Sequence, residues 1–153
     1  MIAALALVAA AARSGDACAL LSVAEIRRVQ GEEPKEAKGS ERQAGGLTVQ
    51  QCFYALPDFS RSVSLEVTRG ANVRDLWRER FHGAGEEEGE GEEKPERVRG
   101  LGEEAFWAGN PRLGGLYILR RDAMLRLGVG GNETKAAKLR RLRALAAKAL
   151  RRL

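Results

Sequence analysis

The sequence predicts an α+β fold: an antiparallel β-sheet with helices packed on one face, in a chain that leaves room for two similar halves. Three observations predict it. Period-two alternation of apolar and polar residues recurs in short segments, as in Val63, Leu65 and Val67 against Ser64, Glu66 and Thr68. These segments follow one another through turns too short for a parallel crossover, so they pair antiparallel. Three stretches with helical spacing flank or interrupt the strand runs without alternating with them, which segregates helices from sheet.

Each element has its own signal. Ser22 is a good N-cap and Glu25, three residues later, completes a capping box. Leu21 and Ile26 hold the staple positions and Gly31 stands where a helix stops, so 22–31 reads as a helix lying on a core. Residues 34–46 are polar, with room for an edge strand. In 47–55, Leu47, Val49, Gln51, Phe53 and Ala55 face one way while Gln50, Cys52 and Tyr54 face the other. Pro57-Asp58 is a turn, and 62–68 is a half-solvated strand. Asn72 can cap a helix carrying Val73, Leu76, Trp77 and Phe81 at helical spacing.

The second half starts with the Gly/Glu segment 83–96, where Glu86, Glu87, Glu88, Glu90, Glu92, Glu93 and Glu96 repel one another and predict a solvated loop. Gly100 and Gly102 then shape a turn into a short strand, 104–108. Residues 116–120 and 123–129 form a hairpin around Arg121-Asp122. Residues 134–153 are an amphipathic helix with Leu139, Leu142, Leu145, Ala146, Ala149, Leu150 and Leu153 on one stripe.

A chain of 153 residues suits one domain with a real core. Its first twelve residues run apolar from Met1 to Ala12, too short to span a bilayer but of the length of a signal-peptide core, without a basic n-region. The division expected is a signal peptide over 1–17 and a single α+β domain over 18–153, exported to the periplasm, the cell envelope or the medium. The net charge of +5 is uneven: 135–153 hold eight basic residues and no acid, leaving −3 for the remainder.

The candidate chemistry is sparse. Export makes a disulfide the simplest fate of the two cysteines, Cys18 and Cys52. Lipidation of Cys18 and free thiols remain open alternatives. His82, the only histidine, sits beside the acidic segment and reads as an exposed imidazole. One His and two cysteines do not make a zinc set, so no catalytic, metal or cofactor site is expected. Gly100-Leu101-Gly102-Glu103-Glu104-Ala105 matches a dinucleotide fingerprint formally, but no buried strand precedes it and no helix follows. Glu66 and Glu104 are left as carboxylates that folding could bring together.

The basic helix offers an anionic-surface contact through Lys138, Arg140, Arg141, Arg143 and Lys148, toward a membrane periphery or nucleic acid. At 5% aromatics, the stacking platforms of single-strand binders are missing, which argues against nucleic acid. The expected partner is therefore an envelope protein or a small ligand.

The run DACALLSVAEIRRVQG, then CFYAL, VRGLGEEAFW and AAKALRRL, resembles small exported bacterial domains, nearest the lipoprotein-type family called domain of unknown function 3558. Ala17, Ser22 and Glu103 stand where that pattern prefers Pro, Thr and Asp. The resemblance implies an envelope location and a Cys18–Cys52 bridge, and it supplies no catalytic residue.

Overall fold

In the computed structural model, which describes residues 16–83 and 94–153, the elements follow in chain order. They are α1 (Val23–Gln30), β1 (Glu36–Ala44), β2 (Leu47–Ala55), β3 (Val63–Arg69), α2 (Val73–His82), β4 (Glu96–Arg97), β5 (Glu104–Ala108), β6 (Gly115–Arg120), β7 (Ala123–Val129) and α3 (Lys135–Leu150). All seven strands form one sheet in the order β1-β2-β3-β7-β6-β5-β4, each neighbour antiparallel. The α+β architecture is the one the sequence predicts. Two meanders, β1–β3 and β5–β7, meet back to back at the β3·β7 pair. The strands thus repeat in layout, whereas the helices do not.

Local chemistry explains the helix ends. The capping box is complete: Ser22 Oγ accepts from Glu25 N at 3.2 Å, and the Glu25 carboxylate accepts from Ser22 N at 2.9 Å. Gly31 ends α1 in the left-handed region at φ 83°. Thr134 caps α3 by accepting from Ala137 N at 3.2 Å.

The placement of the helices corrects one expectation. α1 and α3 share a face, packed over Cys52, Tyr54, Leu65, Trp107, Ile118, Leu125 and Leu127. α2 lies on the opposite face, where Val73 and Trp77 pack on Phe106, Tyr117, Leu119 and Met124. The reason is that β5–β7 do not alternate apolar with polar; both of their faces are apolar, and a sheet apolar on both faces needs two covers. In the other half β2 and β3 do alternate and β1 is polar throughout, so the α2-side face there stays open.

Cys18 and Cys52 form a disulfide, 34 residues apart in sequence with Cα atoms 5.0 Å apart. It ties a 3-10 turn, Ala17–Leu20, to the middle of β2. Tyr54 reinforces the tie by donating to the Cys18 carbonyl at 3.1 Å, and burial pushes its phenol up to about 12. Asp16 Oδ1 accepts from Cys18 N at 2.9 Å and Ala17 is 2% exposed. These two residues, assigned from sequence to the leader, belong to the fold; the rest of the leader lies outside the described residues. So does most of the acidic segment, of which Glu96 pairs with Lys135 at the edge of the sheet.

Candidate functional site

On the open side of the sheet, register alone assembles a continuous row. Ser40, Gln51, Glu66, Arg126, Tyr117, Phe106 and Arg97 are each the cross-strand partner of the next, spanning all seven strands. Beneath α2 the row is aromatic: Phe106 stacks on Phe81 at 4.7 Å, and the Arg97 guanidinium lies 5.5 Å from the Phe106 ring. Beyond α2 it turns polar, where Ser40 donates to Gln51 at 3.4 Å and Gln51 donates to Glu66.

Arg126 marks the boundary between the two. Its Nε donates to the Tyr117 hydroxyl at 3.0 Å, and Arg80 donates to the same oxygen at 2.9 Å while lying 4.3 Å over the ring. Gly115 and Gly128 make room for the guanidinium. A Cβ on Gly115 would stand 3.2 Å from Arg126 Cζ, and one on Gly128 would meet Arg126 at 3.5 Å and Ser64 Oγ at 2.9 Å.

Beside Arg126 lies a groove of about 360 Å³, walled by Phe53 and Phe59 on one side and Leu113 on the other. Ser60, Ser62, Ser64, Gly128 and Gly130 form much of its floor, and Arg112 stands at its rim. Phe53, Phe59 and Leu113 are 37%, 71% and 75% exposed, and only Val23 joins them as an exposed large apolar side chain among the described residues. The Phe53 and Phe59 rings are 5.6 Å apart. The Leu113 wall is fixed by Asn110, whose side chain accepts from Arg112 N at 2.9 Å and Leu113 N at 2.8 Å. A second hollow, lined by Lys38, Gln51 and Glu66, shares Phe53, Ser64 and Arg126 with the first.

His82 is exposed, as its position suggested, but it has a partner. Its Nε2 hydrogen-bonds Glu104 Oε1, which also accepts from Trp77 Nε1 at 2.8 Å; Arg97 reaches the other carboxylate oxygen at 3.3 Å. Burial pushes the Glu104 carboxyl up, but the bonds from Trp77 and His82 outweigh it and hold the group below its usual range. The pair fastens the end of α2 to the sheet edge. Glu66 does not join it: β3 and β5 are separated by β7 and β6, about 14 Å across three strand spacings.

Of the basic residues proposed for an anionic surface, one is buried, Arg141 and Lys148 are half-buried, and Arg140 and Arg143 are exposed. Lys138 is 1% exposed with Nζ on the Arg112 carbonyl at 3.2 Å, which removes it from any surface patch because the helix buries that position. Arg141 bonds Gln30 Oε1 at 3.0 Å and Glu133 at 2.9 Å, fastening α3 to α1. Arg143 donates to the Arg99 carbonyl at 2.9 Å.

The groove residues escaped the sequence reading. The signal available was Arg126 itself, a charge inside the apolar run 123–129 and two residues before a glycine. Compared with known protein families, characterised proteins and solved structures, the chain matches none.

Proposed function

We propose that this chain is an exported, non-catalytic envelope or secreted domain that binds a small ligand or protein partner on the open half of its α2-side face. The observation that carries the reading is convergence: three of the four exposed large apolar side chains among the described residues meet in one groove beside a half-buried arginine. Apolar groups gathered on a surface in this way mark binding sites, whereas scattered ones do not.

The disulfide supports an oxidising compartment. The packing of Asp16 and Ala17 supports cleavage ahead of Asp16, since a cut after Ala17 would remove the cap of the first turn. The described partners of His82 are a carboxylate and an aromatic ring, with no hydroxyl or thiol to activate. The same reading takes the resemblance to the domain of unknown function 3558 family as distant kinship.

Fractionation of the native host with intact-mass measurement, with and without reductant, tests the proposal. The expected form is a shortened chain in the envelope or medium, free of acyl mass, that gains two hydrogens on reduction. A full-length cytoplasmic chain with both thiols free overturns the export, and hydrolytic or redox turnover lost in His82→Ala overturns the non-catalytic reading.

A further inference from the structure

We infer that the groove beside Arg126 takes a small amphipathic acid, its carboxylate on the Arg126 guanidinium and its apolar body between Phe53, Phe59 and Leu113. The inference rests on the proposal that this open face is a binding face, and it names the ligand class.

Charge sets the sign of the ligand. The groove lining includes Arg112 and Arg126 and no carboxylate. The nearest acid in the row, Glu66, sits on the neighbouring strand and accepts from Gln51. None of the ion pairs among the described residues includes Arg126. A half-buried guanidinium without a carboxylate partner has terminal N–H groups to offer, and a planar carboxylate matches that fork bidentately.

Preorganisation strengthens the case. Tyr117 fixes Nε at 3.0 Å, while Gly115 and Gly128 let the guanidinium lie close to the backbone. Little side-chain freedom is then left to lose when a ligand arrives. Two phenylalanine rings and a leucine make walls for an aromatic or aliphatic body, and the Ser64 hydroxyl can supplement the carboxylate contact, since Ser60 Oγ donates to Asp58 and Ser62 Oγ accepts from Leu56 N. The volume, about 360 Å³, lies at the low end of small-molecule pockets, which run from about 300 to 1,000 Å³. It suits a monocarboxylic acid with a ring-sized body.

The test titrates the full exported chain with 4-phenylbutyrate and, separately, with its uncharged counterpart 4-phenylbutanol. Binding is followed by backbone amide and arginine Nε resonances. The acid should shift Gly114, Gly128, Gly130 and Arg126 saturably, and bind about ten-fold or more tightly than the alcohol, the worth of a charge-assisted contact. Arg126→Gln should abolish that preference, the acid's affinity falling to about that of the alcohol. Phe59→Ala, at a site too exposed to threaten folding, should weaken both probes several-fold. Equal affinity for acid and alcohol in the groove overturns the carboxylate inference and leaves the binding face standing. No shift at the groove from either probe overturns both.

Discussion

Glu66 and Arg126 face each other across β3 and β7, yet the arginine bonds away from the glutamate, donating through Nε to the Tyr117 hydroxyl at 3.0 Å. Opposite charges in directly paired positions ordinarily find each other. Here Gln51 engages the carboxylate and Tyr117 the guanidinium, so the pair stays divided between two neighbours.

Tyr117→Phe tests this division. The ring remains, packed at 5.6 Å from Phe81, but Arg80 and Arg126 lose their shared acceptor. Stability should fall by about 1–3 kcal/mol, the cost of depriving the half-buried Arg126 of a partner, since the exposed Arg80 can turn to water. Urea unfolding measures it, and the Arg126 Nε resonance should move as the guanidinium swings toward Glu66. An unmoved resonance would mean that Tyr117 does not hold the arginine.

The disulfide closes a loop with a sequence separation of 34 residues. In the chain-entropy model its loss costs about 3–4 kcal/mol. The double variant Cys18→Ala/Cys52→Ala should lose that much in urea, and the parent protein in reductant should unfold at a similar midpoint. Against a total of about 5–15 kcal/mol, both should still fold. Unchanged midpoints would show that the turn at Ala17–Leu20 is held by packing alone.

Glu25 and Arg152 join the start of α1 to the chain end through two bonds of 2.7 and 2.8 Å. The Arg152 hydrogen bond lowers the Glu25 carboxyl from 4.5 to about 2, against a burial effect that would raise it. A pKa depressed in the folded state stabilises above the unfolded value and loses that contribution as pH falls through the folded one. The unfolding midpoint should therefore drop between pH 4.5 and pH 2. Glu25→Gln preserves the acceptor for Ser22 N while removing the charge, so its midpoint should be lower at neutral pH and converge with the parent's near pH 2.

Much of this fold was legible because its signals are local. The Ser22–Glu25 box, the clean alternation of β3 and the Leu142–Leu145–Ala149 stripe of α3 each lie within a few residues, and each forms as expected. The side taken by α2 was not, since Trp77 and Phe81 announce an apolar helix face without saying which sheet face receives it. That depended on Phe106, Tyr117, Leu119 and Met124, which read in isolation as ordinary strand apolars. β1 forms where 34–46 left room for an edge strand, with only a weak signal: its nine residues are nearly all exposed, so pairing and not burial makes it a strand. The site was least legible of all. Phe53, Phe59, Leu113 and Arg126 come from separate segments, two strands and two turns, and only the folded sheet with its connecting turns brings them together.

Lys138 links that site to the far helix. It is buried in α3 at 1% exposure, and its Nζ donates to the Arg112 carbonyl at 3.2 Å, within the same 110–114 turn that raises Leu113 as the groove wall. A buried ammonium is costly, and replacing it by an apolar side chain of similar length can be close to neutral for stability. Lys138→Met should therefore keep the fold, with a change of about 1 kcal/mol or less in urea, whereas Lys138→Ala leaves a void and should cost about 2–4 kcal/mol. Both lose the tie to Arg112. Amide hydrogen exchange at Leu113 and Gly114 should accelerate in Lys138→Met while the strands stay protected, because the turn then relies on Asn110 alone. Binding of 4-phenylbutyrate should weaken in the same variant, with the preference for acid over alcohol retained, since Arg126 is untouched. Unchanged exchange at Leu113 would show that Asn110 by itself sets the wall, and Lys138 would then be a packing residue with no hold on the groove.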